Sequence, residues 1–344
     1  MERKLQQDIM NWYKENAREL PWRKTKDPYV IWLSEIIMQQ TRIEQGTPYF
    51  NKFVSSFPTV FGLAKASEDQ VLKHWQGLGY YSRARNMHHA AKTIVEKWNG
   101  HFPSNYDDLI SLKGIGDYTA SALLSFCHHQ PYAVLDGNVF RLLSRLFGIE
   151  EPINSTIGKK IFKKKANEFL DQSNPGDFNQ ALMDFGAMVC KPNNPACTSC
   201  PLQFDCVAKR EQSQASLPTK LKAKDLKKRY LHYFVFKQNG SLFIKKRNTK
   251  GIWFKLYELP LLEKMDEGKL SLIEVRNNFS SDLEEFKLIS SVKHLLSHQE
   301  LYISFYEIDR GECMVEEAYL EIAVSEIQAY PFPKPIIEFL DFYY

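Results

Sequence analysis

Halfway along the chain the spacing of apolar residues changes, and this change restricts the fold more than any other feature of the sequence. From the N-terminus Leu5, Ile9, Trp12, Tyr13, Ala17 and Leu20 recur at helical spacing, and the same pattern returns around 30–43, 84–97, 117–127, 138–147 and 156–170. Beyond it Leu231, Tyr233 and Val235 alternate with other residues, and Leu242 and Ile244 resume the alternation after Asn239-Gly240, a hairpin signal. LYISFYEI, from Leu301, is a further strand, and a helical stretch near Ile336 closes the chain. Between the two patterns lies polar EQSQASLP, then PTKLKAKDLKKR with six basic residues against one Asp, which reads as an exposed basic linker. The expectation is a multidomain chain: an all-α domain over 1–210, a linker over 211–228 and an α+β domain over 229–344.

A net charge of +4 permits a polyanionic partner without demanding one. The opening MERKLQQDIMNW has no apolar region for a signal peptidase. No apolar run approaches the roughly 20 residues that span a bilayer. The chain therefore reads as a soluble, cytoplasmic protein. Four of six cysteines crowd into C-x6-C-x2-C-x5-C: Cys190, Cys197, Cys200 and Cys206. In a reducing compartment such spacing points to metal, and both zinc and a [4Fe–4S] cluster accept four thiolates. Cys127 and Cys313 read as small buried hydrophobes.

In LKGIGDYTA, Gly114 and Gly116 form a tight turn running into a helix. The unsatisfied N–H groups there suit a DNA phosphate, although a plain connection between helices has the same pattern. Glu35 lies in IWLSEIIMQQT among apolar residues, where lost hydration would raise its pKa and let it serve as a general acid; Gln39 at i+4 allows the alternative of a polar face. Asp136, just before the Val139–Phe147 pattern, reads as a helix N-cap, and the helix N–H groups should lower its pKa and keep it ionised. Two carboxyls of opposite tendency suit N-glycosidic cleavage, one protonating the leaving base and the other facing an oxocarbenium-like sugar.

The glycine turn, LDGNV about twenty residues later and the cysteine spacing together resemble the helix-hairpin-helix DNA glycosylases that carry an iron–sulfur cluster. Further motifs, LPWR, SEIIMQQT, GLGYYSRARN, GIGDYTA and LDGNV, resemble within them the adenine DNA glycosylases of MutY type. The resemblance implies a [4Fe–4S] cluster on the four cysteines. It implies a monomeric enzyme that acts on double-stranded DNA and removes adenine opposite 8-oxoguanine or guanine. Relatives that also cut the backbone carry a lysine where this chain has Tyr118, and tyrosine forms no imine, so the implied enzyme is monofunctional.

By the same resemblance Glu35 protonates adenine, Asp136 stabilises the sugar cation, and Tyr118 and Asn138 support it. Arg18, Leu20, Trp22 and Arg23 form the adenine pocket, although Trp22 and Tyr80 also read as core aromatics. Gln40 and Tyr80 enter the duplex. The second domain would be Nudix-like, with Ser297 and His298 in HLLSHQEL reading 8-oxoguanine and Leu296 where the family often has Phe. Read without the family, Ser297 and His298 are a polar turn before a strand. No acidic REUxEE-type run follows GIWFKLYELP, which argues against pyrophosphate hydrolysis. An endonuclease III-like glycosylase/lyase and a non-catalytic DNA-binding scaffold are the alternatives; Tyr118 opposes the first, and Glu35 with Asp136 the second.

Overall fold

A computed structural model describes residues 2–222, 225–237, 240–268, 270–279, 283–309 and 319–344. It divides into two compact units, one of Met1–Lys65 with His89–Lys222 and the other of Ala66–His88 with Ala223–Tyr344.

The first unit is helical. Helices Pro28–Met38, Asp117–His128, Gly137–Phe147 and Thr156–Glu168 appear where the apolar spacing expects them. The pattern over 30–43 overshoots: the first of these helices stops at Met38, and Gln40 takes a positive φ of 55° in the turn that follows. A further helix, Pro175–Met188, was not foreseen. Its signal was present, since Pro175 starts it and Phe178, Ala181, Leu182 and Phe185 share one face. That face packs with Leu5 and Ile9 of helix Glu2–Asn16 and with Val139, Leu143 and Phe162 into one core, and Cys190, Cys200 and Cys206 lie at its edge.

The 211–222 segment is not a free linker. Leu217 is buried, Arg145 Nε donates to the Leu217 carbonyl at 3.0 Å, and Leu221 N donates to Asn154 Oδ1 at 2.8 Å. Polar composition hid this attachment, because one apolar side chain and backbone hydrogen bonds are enough to hold an otherwise solvated strap.

The second unit contains β1 (Lys227–Lys237), β2 (Ser241–Lys246), β3 (Tyr257–Glu258), β4 (Leu261–Lys264), β5 (Lys287–Leu295), β6 (Gln299–Asp309) and β7 (Leu320–Ala323). One sheet runs β4-β1-β6-β5 and another β3-β2-β7. The hairpin expected between β1 and β2 is therefore corrected: β1 pairs in parallel with β6 and antiparallel with β4, while β2 pairs with β3 and β7. Asn239 of the turn signal lies outside the described residues. The physical reason lies in the burial of β1, which is continuous from Tyr230 to Phe236. A strand covered on both faces sits centrally and takes partners on both edges, which a local turn signal cannot announce. On one face Phe234 and Phe236 meet Val275 and Phe279 of helix Leu272–Phe279. On the other, Phe305 of β6 stacks on Phe339 of helix Lys334–Tyr343 with centroids 4.0 Å apart.

Ala66–His88 completes this unit. Asp69 accepts from Lys246 and, at 3.2 Å, from Tyr257, while Arg85 Nη1 donates to the Phe254 carbonyl at 2.7 Å. No described helix is long and apolar enough to cross a membrane.

Candidate active site and DNA-facing sites

Within the first unit a cavity of about 180 Å³ gathers all eight residues expected for catalysis and adenine binding: Arg18, Leu20, Trp22, Arg23, Glu35, Tyr118, Asp136 and Asn138. Glu35 comes from a helix that is apolar on nearly every side. Its neighbours Ile31, Leu33, Ile36 and Ile37 are buried, and Glu35 itself is only 9% exposed. The polar-face alternative therefore fails. Burial pushes the Glu35 carboxyl up to about 7 against a hydrogen bond from Tyr118, and the negative Asp136 adds to the rise while Arg23 opposes it. A carboxyl so placed carries its proton up to neutral pH. Tyr118, in the first turn of the helix that follows the glycine turn, also directs its hydroxyl at Met183 Sδ, 3.8 Å away.

Asp136 is the N-cap of helix Gly137–Phe147. Its Oδ1 accepts from Asn138 N at 2.8 Å and Val139 N at 2.7 Å, and its Oδ2 accepts from Asn138 Nδ2 at 2.7 Å. The expected fall in its pKa is corrected: burial raises it, and these bonds, with the Arg141 charge, offset only part of the rise. The sequence showed the cap but not the depth at which it lies. Asn138 is fixed in turn. Its Oδ1 accepts from Arg141 Nη2 at 2.8 Å, and Arg141 also donates to the carbonyls of Cys190 and Gly186, both at 2.7 Å. Gly186 is needed there, since a Cβ would stand 2.7 Å from the Asn138 carbonyl oxygen.

Trp22 serves two purposes: it packs edge-on against Phe50 at 5.1 Å and lines the cavity. Gln180, Met183 and Asp184, all on the unforeseen Pro175–Met188 helix, were missed. Gln180 and Met183 line the cavity. Asp184 lies beneath it, fully buried, and holds both arginines: Arg18 Nε at 2.7 Å, and Arg23 Nη1 and Nη2 at 2.7 and 2.8 Å. An acid matched to two arginines more than 160 residues earlier has no local signal.

The four cysteines line one small pocket with Leu142, Leu146, Phe185 and Leu202. Arg145 Nη1 reaches Cys190 Sγ at 3.5 Å and the Lys191 carbonyl at 2.7 Å. Among the described residues no three His, Cys, Asp or Glu side chains close on a point that would hold a single ion. The donor set, four sulfurs around an apolar pocket, is one that zinc and an iron–sulfur cluster both accept.

At the glycine turn Gly114 has a φ of 84°, open to glycine at little cost. Gly116 caps the helix with no side-chain bond, and the space where its Cβ would lie is open. The first N–H groups of that helix are thus accessible to an anion. Gln40 is exposed.

In the second unit a cavity of about 400 Å³ is lined by Tyr80, Trp253, His294, Leu296, Ser297 and His298, among others. Ser297 and His298 form the tip of the β5–β6 hairpin, closed by Leu296 N donating to the Gln299 carbonyl at 2.8 Å, and Ser297 Oγ lies 3.1 Å from His298 Nδ1. They are a polar turn, as the bland reading had it, and they also face a cavity. Tyr80 is no core aromatic: it is 47% exposed, with a φ of 47°, and the Arg83 guanidinium lies 5.6 Å from its ring and 5.0 Å from that of Trp75.

Comparison with known proteins agrees with this geometry. Residues 33–170 match the HhH-GPD superfamily of base excision DNA repair proteins, and residues 232–341 match the NUDIX domain family. The adenine DNA glycosylase of Buchnera aphidicola subsp. Baizongia pistaciae is 37% identical over 300 residues, 87% of this chain and 84% of the relative. A thermostable thymine-DNA glycosylase superimposes with a TM-score of 0.57 at 26% identity, covering 61% of this chain and 97% of that one. A trapped endonuclease III–DNA covalent intermediate superimposes at 0.54 and 18% identity, covering 62% of this chain and 98% of that one, which shows a shared fold. With the helical and NUDIX regions in this order, and a relative aligned along most of both sequences, the chain belongs to the adenine DNA glycosylase family.

Proposed function

We propose that this protein releases adenine from duplex DNA where adenine stands opposite 8-oxoguanine or guanine, and leaves an abasic site without cutting the strand. The observation that carries the reading is the meeting of a protonatable Glu35 and a capped Asp136 in one cavity walled by Leu20 and Trp22. A flipped adenine would lie between these apolar and planar walls. Glu35 would deliver its proton to the leaving base at N7, weakening the glycosidic bond, and then accept a proton from the attacking water. Asp136 would face the cationic sugar, with its geometry fixed by Asn138 and, through Asn138, by Arg141. Tyr118 would hold Glu35 and, having no amine, form no covalent link to the sugar.

The open N–H groups after Gly116 support a phosphate contact there, and exposed Gln40 supports insertion into the duplex. The cavity shared by Tyr80, Ser297 and His298 supports reading of the lesion base in the second unit, with stacking from Tyr80 and hydrogen bonds from the hairpin tip. Cys190, Cys197, Cys200 and Cys206 would hold a [4Fe–4S] cluster, whose contribution is to cross-link the loop that receives Arg141 and Arg145. We assign residues 1–65 with 89–222 to the glycosylase domain and 66–88 with 223–344 to the reader, and the protein to the cytoplasm as a monomer.

The test is one duplex with adenine opposite 8-oxoguanine, scored for base release under single-turnover conditions with and without alkali. Strand breaks only after alkali are the expected result. Cleavage of pyrimidine lesions without alkali, with adenine untouched, would replace this reading by that of a glycosylase/lyase.

A further inference from the structure

The cavity contains a potential conflict. Glu35 must keep its proton, yet Arg18, Arg23 and Lys26 line the same space, and a buried guanidinium without a partner draws the nearest carboxylate to it. Asp184 removes that conflict. Its Oδ1 accepts from Arg18 Nε at 2.7 Å and from Arg23 Nη2 at 2.8 Å, and its Oδ2 accepts from Arg23 Nη1 at 2.7 Å and from the backbone N–H of Arg18 at 3.0 Å. Arg23 Nη1 has a further acceptor in the Arg18 carbonyl at 3.2 Å. Both terminal nitrogens of Arg23 are therefore engaged away from Glu35.

We propose that Asp184 is a positioning residue for base release: by engaging Arg23 and Arg18 it prevents Arg23 from pairing with Glu35 and so keeps the proton on the acid. The inference rests on Glu35 being the general acid. Groups facing Glu35 from the packed elements are Tyr118 of the helix after the glycine turn, Asp136 of the cap, and Arg23, with Arg18 and Lys26, of the segment before helix Pro28–Met38; the Cys127 thiol also feels its charge. Even where it is held, Arg23 pulls the Glu35 carboxyl down, against the larger effect of burial. Burial pushes Asp184 up, yet the hydrogen bonds from Arg23 and Arg18 hold it below the usual carboxylate range, so it stays an anion across the working pH.

Single-turnover adenine release measured against pH tests this. In the unaltered protein the rate falls as Glu35 loses its proton. In Asp184→Asn that alkaline limb should move about one pH unit lower, giving about a tenfold loss above it and near-normal release in acid. Asp184→Glu should keep the limb in place, and Asp184→Asn with Arg23→Met should bring it back up. A purely structural role would lower the rate by one factor at every pH, which would overturn the proposal. If Asp184→Asn does not fold, Arg23→Met alone decides: the limb should move to higher pH, and an unmoved limb overturns the proposal. An unaltered protein with no alkaline limb, or an active Glu35→Gln, would instead remove Glu35 as the acid.

Discussion

The two cavities are built on opposite principles. Around Glu35 and Asp136 the charged groups are buried and tied: Asp136 accepts three hydrogen bonds, and Asp184 holds two arginines. At the Ser297–His298 tip the polar groups are exposed, with Ser297 Oγ 3.1 Å from His298 Nδ1. Chemistry on a glycosidic bond depends on shifted proton affinities, which require exclusion of water and fixed neighbours. Recognition of a base edge requires donors free to exchange water for the ligand. One protein can therefore have a rigid site and a loosely partnered one, each suited to the task proposed for it.

The sharpest way to break this contrast is Glu35→Gln, which keeps the shape of the first cavity and removes its proton. Adenine release should fall by about a thousandfold while duplex affinity holds. An active variant would mean that the buried carboxyl is only structural. Next in size, Ser297 and His298 changed together to alanine should leave release from adenine opposite guanine nearly intact and reduce the preference for 8-oxoguanine by about tenfold, the worth of one or two hydrogen bonds. An unchanged ratio would place lesion reading elsewhere.

The smallest effect concerns stability. The folded protein raises Glu35 to about 7 from an ordinary 4.5, so its contribution is present below 4.5 and is lost as pH rises through 7. Glu35→Gln avoids that loss and should be more stable to denaturant than the unaltered protein at pH 8, by up to about 3 kcal/mol, with the gap closing near pH 4. A pH-independent difference would show that Glu35 is already solvated.

Much of the first site was legible because its parts are local. An Asp before a periodic apolar run reads as a cap, a Glu inside an apolar helix reads as a buried acid, and a glycine pair reads as a turn; each follows from neighbours within a few residues. What failed was depth and distance. Helix N–H groups at Asp136 suggested a lowered pKa, and burial by segments far along the chain reversed it. Asp184 and the pairing of β1 with β6 depend on partners that no window of the sequence contains.

By itself, then, the sequence determined the two kinds of secondary structure, the four-cysteine loop and the two carboxyls that are candidates for the reaction, because periodicity, capping and ligand spacing act over short stretches of chain. Tertiary structure alone decided which arginines are neutralised, how deeply Asp136 lies, and that Ala66–His88 belongs with the strands of the second unit. Desolvation and charge pairing depend on what else fills the space around a group, and that is settled only when distant segments pack together.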